Sequence, residues 1–165
     1  GAGLILLAGQ MGSGKTTTLH YLAYRYLTEK MVLTIEDPVE VVQPNFLQLQ
    51  VNKAAQMDYP DLLKLALRHH PDVMIIGEIR DAQTAQIVVE AALSGHLIIS
   101  TIHAMSHLGI WHRLRDFGVP TGTLRQVLAG MVYQKLVLTD EGVAADLAVL
   151  TGDVLQERVA EWHAE

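Results

Sequence analysis

The segment Gly9–Thr16, close to the start of the chain, limits the possible folds more than any other feature of the sequence. It fits the pattern G-x-x-x-x-G-K-[ST], between an apolar run at 4–8 and a helical pattern that begins at Lys15. Glycines allow successive backbone N–H groups to surround phosphate oxygens, and a helix N-terminus adds positive charge. Lys15 then reaches the β- and γ-phosphates, and the Thr16 hydroxyl suits Mg²⁺. A glycine-rich turn with a chance lysine is disfavoured by the flanking strand and helix. The predicted nucleotide-binding residues are Gly9, Gly12, Ser13, Gly14, Lys15, Thr16 and Thr17.

The rest of the chain alternates short apolar runs with helical patterns, which predicts an α/β fold with a mainly parallel sheet. The predicted strands are 4–8, 31–35, 46–51 near an edge, 73–76, 97–100, and short strands near 132–138 and 146–150. The predicted helices are 15–29, one capped by Asp58 that stops near His70, one from a cap at Asp81 to Leu93, 106–117 and 120–130. Ligands of such sheets bind at the carboxyl ends of the strands. Beyond Thr139 the pattern weakens, and residues 139–165 receive no functional interpretation.

Acidic residues follow two of the predicted strands. Glu36 and Asp37 come after strand 31–35, and Glu78 follows strand 73–76. Phosphoryl transfer to water needs one acid to hold the metal and a base to orient the attacking water. If both strands run parallel to the predicted strand 4–8, these carboxylates meet at one edge of the sheet. Solvated loop acids are the alternative, and Asp37, which precedes a proline, is equally typical of an ordinary turn.

Composition restricts the partners of the chain. Half of the residues are hydrophobic and 18% are charged, as in a globular domain. The net charge of −6 and the scattered Lys and Arg residues argue against direct nucleic-acid binding. No run approaches the roughly 18 consecutive apolar residues of a membrane span. Because the chain starts with Gly1-Ala2-Gly3 directly before an apolar run, we expect a missing upstream domain.

Eight histidines and no cysteine define the possibilities for a metal centre. His103 and His107 are four residues apart, a spacing that aligns two ligands on one face of a helix. No third partner lies at helical spacing, so a structural or surface role is favoured. His69 and His70 are expected at a helix end, where histidine suits the dipole. The absence of cysteine excludes disulfides and thiolate zinc sites, which fits a reducing cytoplasm.

Four segments together resemble the sequence boxes of the type II/IV secretion ATPases, the family that also serves pili and competence. They are Gly9–Thr18 (Walker A), Thr34–Glu40 (Asp box), Leu67–Asp81 (Walker B) and Ser94–His103 (His box). They follow the family's order, and the resemblance as a whole covers roughly 3–137. The missing cysteines and the sequence Ser100–Ala104 most resemble the competence branch of the ComGA type. The resemblance implies a RecA-like P-loop NTPase core, with 1–165 as the C-terminal ATPase domain.

The resemblance also implies a role for each residue, with ATP and Mg²⁺ as the cofactors. Glu36 is expected to act as general base and Glu78 to hold Mg²⁺ through water, although the reverse assignment stays open. Thr16 is expected to bind Mg²⁺ directly. His103 is expected to read the γ-phosphate, and His96 and Thr101 to support it.

Arginines and departures from the family pattern complete this comparison. Arg80, a predicted nucleotide-binding residue, and Arg113 both occupy motif positions, and both are also suited to structural ion pairs. Ala104-Met105 replaces the Thr-Asn of many relatives, and Gln134-Lys135-Leu136 replaces a common Gln-Arg-Leu. The geometry of γ-phosphate sensing is therefore expected to differ from that of those relatives.

The resemblance further implies a homo-hexameric motor, cytoplasmic and peripheral to the inner face of the cell membrane, that acts on an inner-membrane platform protein. We expect it to power assembly of a competence pseudopilus for DNA uptake. Because the family places arginine sensors in its upstream domain, the alternative is a nucleotide-binding structural domain that does not turn over alone. A small-molecule kinase and a nucleic-acid translocase are disfavoured, since neither an arginine-rich lid nor a basic stripe is present.

Overall fold

A computed structural model, which describes residues 1–10 and 12–165, shows one seven-stranded sheet. Met11, part of the predicted phosphate-binding loop, lies outside the described residues. The strands are β1 Gly3–Gly9, β2 Val32–Glu36, β3 Phe46–Gln50, β4 Val73–Ile76, β5 Leu97–Ile102, β6 Leu128–Thr139 and β7 Gly142–Thr151. Their spatial order is β3-β2-β4-β5-β1-β6-β7, and among the strands of the described residues only β6 and β7 pair antiparallel. The predicted α/β fold with a mainly parallel sheet is confirmed, and the strand predicted at 46–51 lies at an edge.

The parallel register brings the carboxyl ends of the central strands to one edge of the sheet. Gly3 pairs with Leu97 at the start of β1 and β5, and Ala8 pairs with Ile102 at their ends. Strand β4 runs in register with β5, and β2 runs in register with β4. The loops that follow β1, β2, β4 and β5 therefore leave the sheet at the same edge.

Alternating side chains of the strands divide the core into two layers. In β1, Leu4 and Leu6 belong to the larger layer, and Leu7 belongs to the smaller one. The helices of the larger layer are α2 Tyr59–Leu67, α3 Ala82–Leu93, α4 His107–Asp116, α5 Thr121–Val127 and α6 Gly152–Ala164. Helix α1, Lys15–Tyr26, packs on the smaller layer through Leu19 and Ala23. Burial of a leucine contributes about 1.5–3 kcal/mol, which anchors the helix that follows the phosphate-binding loop.

Side-chain caps fix the starts of α2 and α3, as predicted. The backbone N of Asp58 donates to Asp61 Oδ2 at 3.2 Å, and Asp58 Oδ1 accepts from the backbone N of Tyr59 at 2.7 Å. The first of these contacts belongs to a capping box, in which the side chain of Asp58 also accepts from the backbone N of Asp61. Asp81 Oδ1 accepts from the backbone N of Thr84 at 2.7 Å. Helix ends are less accurately predicted, because α1 ends at Tyr26 and α2 at Leu67, rather than at 29 and near 70.

The C-terminal part of the chain differs most from the sequence-based expectation. The helix predicted at 120–130 ends at Val127, because from Leu128 onward the backbone pairs with β1 as a strand. Strands β6 and β7 are longer than the predicted 132–138 and 146–150 and form a hairpin with a turn at 140–141. Gly142 has a φ of 123°, which suits the entry into β7.

Helix α6 was not predicted at all. Leu155 and Val159, four residues apart, are fully buried in the larger core layer. The ring of Trp162 packs against that of Trp111 on α4, with their centroids 5.9 Å apart. Residues 139–165 therefore contribute a strand and a helix to the fold. Among the described residues, no helix has the length and apolar character needed to cross a membrane.

Candidate nucleotide site

The loop between β1 and α1 has the backbone that phosphate binding requires. Gly12 and Gly14 have φ values of 79° and 81°, in the left-handed region that favours glycine. Gly14 is the N-cap of α1, so the free N–H groups of the first turn face the loop. A Cβ atom on Gly9 would lie 2.6 Å from both the Gln134 carbonyl oxygen and Ser13 Oγ, which only glycine avoids. The loop thus has the form expected of a phosphate cradle.

Gln134 on β6 supports this loop and was not predicted as a site residue. It is buried, and its Nε2 donates to the carbonyl oxygen of Ser13. Ser13 Oγ and Gln134 Oε1 are buried without a hydrogen-bond partner among the described residues. Unpaired buried polar atoms are expected where a ligand or an ordered water completes the bonding. The available sequence signal was a glutamine within an apolar strand.

Lys15 lies across the cradle. Its Nζ donates to the carbonyl oxygen of Gly9 at 2.9 Å and lies 3.2 Å from Nδ1 of His103. Burial lowers the pKa of Lys15, and the nearby Glu78 carboxylate partly offsets this effect. An anion bound in the cradle would therefore stabilise the charged form of this lysine.

His103 lies between Lys15 and Glu78. Because an ammonium group has only hydrogen-bond donors, Nδ1 of His103 must offer its lone pair to Lys15. The neutral ring then carries its proton on Nε2, which is 3.4 Å from Glu78 Oε2. The residues predicted to read the γ-phosphate and to hold the metal are thus neighbours.

Glu36 occupies the most enclosed position in the site and is only 3% exposed. Its Oε2 accepts from Thr34 Oγ1 at 2.7 Å and from Gln48 Nε2 at 2.9 Å. Its Oε1 lies 3.1 Å from Nε2 of His20. The sequence pattern did not suggest these partners, because they come from three elements, α1, β2 and β3, whose side chains meet only in the folded chain.

Arg80 lies among acidic side chains at the rim of the site. Its guanidinium lies 3.3 Å from Asp58, 3.5 Å from Glu78 and 3.7 Å from Asp37, and stacks 5.1 Å from the ring centre of Tyr59. Burial alone would lower the pKa of Arg80, but the carboxylates, Asp58 foremost, raise it. The pKa of Tyr59 is raised, mainly by burial and then by the charge of Glu78. Arg80 thus forms the ion pairs with carboxylates that the sequence also allowed, and its role in nucleotide binding stays a prediction.

A cavity of about 200 Å³ joins these groups at the carboxyl edge of the sheet. It is lined by residues that include Lys15, Thr16, Glu36, Glu78, Thr101 and His103. The hydroxyl of Thr101 donates to the carbonyl oxygen of Gly77, at the turn before Glu78. Within the described ranges, no group of three His, Cys, Asp or Glu side chains is arranged for a metal. The oxygens of Thr16 and Glu78 fit Mg²⁺ that is otherwise bound by phosphate and water.

His96 lies away from this cavity, which corrects the expectation that it supports His103 within one chain. It immediately precedes β5, and the backbone N of Gly3, at the start of β1, donates to its carbonyl oxygen at 3.0 Å. Its Nδ1 lies 3.1 Å from the carbonyl oxygen of Ala91. Since β5 separates His96 from His103, the two residues lie at opposite ends of that strand.

The remaining predicted residues do not line the cavity beside Lys15. His107 begins α4 and His103 precedes that helix, so the two do not share a helix face; His107 Nε2 is 2.8 Å from the carbonyl oxygen of Ala148. Arg113 stacks on the ring of Phe117 at 4.8 Å and has no ion pair within the described part of the chain. Thr17 lines a neighbouring cavity of about 340 Å³.

The chain is similar in sequence to known secretion and competence proteins. A family model described as type II/IV secretion system protein matches residues 1–158. The chain is 45% identical to the competence protein ComGA of Streptococcus pneumoniae over 163 residues, which cover 99% of this chain and 51% of ComGA. It is 45% identical to the type II secretion system protein E of Pectobacterium carotovorum over 138 residues, covering 83% of this chain and 28% of that protein.

The fold is also similar to that of a solved motor protein. The crystal structure of the pilus retraction motor PilT with bound ADP superposes with a TM-score of 0.86 at 30% identity. The match covers 97% of this chain and 50% of PilT. The chain thus spans about half the length of ComGA and PilT.

Proposed function

Because the chain belongs to the type II/IV secretion system protein family, we propose that it hydrolyses ATP as the motor subunit of a secretion or pilus-like machine. The names of its relatives, a competence protein, a type II secretion protein and a pilus retraction motor, support this function. The ComGA match extends over more of the chain than the protein E match does. We therefore favour assembly of a competence pseudopilus for DNA uptake as the specific task.

The observation that carries the proposal is the meeting of four predicted residues at one cavity. Lys15 and Glu36 line it together with Glu78 and His103, although they come from the end of β2 and from the segments after β1, β4 and β5. A cradle for phosphate, an enclosed carboxylate and a second carboxylate near the lysine are the groups that nucleotide hydrolysis requires.

In the proposed reaction, the phosphates of ATP replace the contacts of Lys15 with Gly9 and His103. Glu36 orients a water molecule toward the γ-phosphorus and accepts its proton while the water oxygen bonds to that phosphorus. The bond from the γ-phosphorus to the bridging oxygen breaks, ADP and inorganic phosphate are released, and His103 contacts the γ-phosphate during the reaction. Thr16 and Glu78 would hold Mg²⁺, the latter through water, and the ion would supply positive charge that offsets the charge of the phosphates. Arg80 restrains the side chain of Glu78 at the rim.

Assembly and location are further parts of the proposal. The resemblance to motor proteins of the family implies that this protein assembles as a homo-hexamer at the cytoplasmic face of the cell membrane. There the protein would act on an inner-membrane platform protein rather than on nucleic acid directly. The net charge of −6 supports a protein partner over a nucleic-acid partner.

A specific observation favours a second candidate, a nucleotide-binding domain that does not turn over alone. The described residues that line the cavity include four carboxylates, Glu36, Asp37, Glu40 and Glu78, against one lysine, Lys15. Phosphoryl transfer needs further positive charge to stabilise its transition state. If neither Mg²⁺ nor an arginine from another segment or subunit supplies it, the site binds nucleotide without hydrolysis.

The test is ATP binding and turnover with Mg²⁺, over a series of protein concentrations, for the wild type and Lys15→Ala. We expect Lys15→Ala to lose both, because the cradle loses its cation. Lys30→Ala, which removes an exposed lysine just beyond α1, is the matched control and should keep both. Turnover that rises steeply with protein concentration would support a site completed between subunits. Full turnover in Lys15→Ala would contradict the proposal, and binding without turnover in the wild type would favour the second candidate.

A further inference from the structure

His20 on α1 contacts the carboxylate that we propose as general base. Nε2 of His20 lies 3.1 Å from Oε1 of Glu36, and the two residues are 8% and 3% exposed. Because burial removes water as a competing partner, loss of this contact would leave a polar group unpaired. The ring of His20 meets the ring of Phe46 edge-on, with centroids 6.4 Å apart, which restricts its rotation.

A count of hydrogen-bond positions shows what His20 controls. An ionised carboxylate has about four lone-pair positions, two on each oxygen. Thr34 and Gln48 both donate to Oε2 of Glu36, so that oxygen is filled. His20 occupies one position on Oε1, which leaves a single position on the same oxygen. The direction of that remaining lone pair is therefore fixed by the donor from His20.

The placement of His20 leaves the phosphate side of Glu36 open. Glu36 lines both the 200 Å³ cavity beside Lys15 and the neighbouring cavity of about 340 Å³. His20 lines only the second of these. It thus approaches the carboxylate from the neighbouring cavity and is not among the residues that line the cavity beside Lys15, where the attacking water would bind.

We propose that His20 is a positioning residue for Glu36. The Nε2–H group of His20 donates to Oε1 of Glu36 and so directs that oxygen toward the attacking water. The inference rests on the proposed role of Glu36 as general base. Since Nε2 of His20 carries the proton that faces Glu36, His20 holds the base rather than receiving the proton of the water. The same helix begins at Lys15, so His20 also ties the base to the phosphate cradle.

The test compares His20→Leu, which removes the donor but keeps bulk, with His20→Gln, which keeps an N–H donor. In the complete protein, we expect His20→Leu to lower kcat by roughly 10- to 100-fold with KM and ATP binding unchanged. His20→Gln should recover most of the lost kcat. His112→Leu, at an exposed histidine of α4, is the matched control and should keep the wild-type kcat. Thermal melting checks that each variant is folded. If His20→Leu is unfolded, the test is decided by the kcat of His20→Gln and of His20→Asn, which offers a shorter donor.

The double variant with Glu36→Gln separates positioning from packing. If His20 acts through Glu36, adding His20→Leu to Glu36→Gln should cause no further loss of kcat. A full additional loss, or a wild-type kcat in His20→Leu alone, would overturn the inference. If Glu36→Gln itself keeps the wild-type kcat, the proposed role of Glu36 fails, and this inference fails with it. Loss in Glu36→Gln with full activity in His20→Leu would remove the inference only.

Discussion

The ends of β2 and β4 each present a glutamate at the same edge of the sheet, but the fold gives the two carboxylates different surroundings. Glu36 is almost fully enclosed and accepts from a hydroxyl, an amide and an imidazole. The side chain of Glu78 is 28% exposed and lies between Arg80 and His103. The enclosed carboxylate has a fixed direction, whereas the exposed one has room for water and a metal ion. A position at the end of a strand thus places an acidic side chain in the site, and the residues that surround this side chain determine its role.

The largest expected effect comes from Glu36→Gln, which keeps shape and removes the proton acceptor. We expect kcat to fall by roughly 100- to 10,000-fold, the usual contribution of a general base, while ATP binding is retained. Steady-state turnover and nucleotide binding measure the two separately. Glu90→Gln, at an exposed position of α3, is the matched control. If Glu36→Gln and the control hydrolyse ATP equally well, the assignment of the enclosed carboxylate is wrong.

A smaller effect is expected from Gln48→Leu, which removes one donor from Glu36. Oε2 of Glu36 would still accept from Thr34, so the carboxylate keeps most of its orientation. Gln48 also accepts from the backbone N of Gln43 at 2.7 Å and donates to the carbonyl oxygen of Val41 at 2.9 Å. We expect kcat to fall by less than in His20→Leu, together with about 1–3 kcal/mol lower stability from the groups left unpaired.

Chemical denaturation and turnover test this ranking, with Gln126→Leu on the exposed side of α5 as the control. A larger loss of kcat in Gln48→Leu than in His20→Leu would reverse it. The filled oxygen, rather than Oε1, would then be the one that matters for the water.

The smallest expected effect lies on the side of Glu78. Asp58→Ala removes the cap of α2 and the ion pair at 3.3 Å with Arg80. Loss of a helix cap costs about 1 kcal/mol, equivalent to a fall in Tm of roughly 2–4 °C for a chain of this size. Asp140→Ala, in the exposed turn between β6 and β7, should leave Tm unchanged. Calorimetry that finds no difference between the two variants would show that the cap contributes nothing.

The sequence allowed prediction of those parts of the site that are local in the chain. The phosphate loop needs its glycines and lysine in one segment, and Glu36 and Glu78 directly follow apolar strands, so each was recognisable without the fold. His20, Gln48 and Gln134 were missed as partners, because each contacts a residue that is distant in sequence or on another element. The prediction for His96 was wrong because its motif spans the whole of β5. His96 and His103 therefore lie at opposite ends of that strand.

The limits of fold prediction have a similar cause. Strand β7 is exposed at nearly every residue, so it lacks the alternation that marks a half-buried strand. Helix α6 buries Leu155 and Val159 one turn apart, and that short signal was present in the sequence but was not recognised. The boundary between α5 and β6 depends on pairing with β1, which local sequence does not encode.

The most direct test of the division between the two glutamates is a Mg²⁺ titration of ATP binding and turnover in Glu36→Gln and Glu78→Gln. We predict that Glu36→Gln retains the wild-type Mg²⁺ dependence of ATP binding but loses turnover. Glu78→Gln should instead require more Mg²⁺ for both, and regain part of its turnover when Mg²⁺ is in excess. The opposite pattern, with the Mg²⁺ dependence shifted in Glu36→Gln and turnover lost at all Mg²⁺ concentrations in Glu78→Gln, would contradict the account and make Glu78 the base.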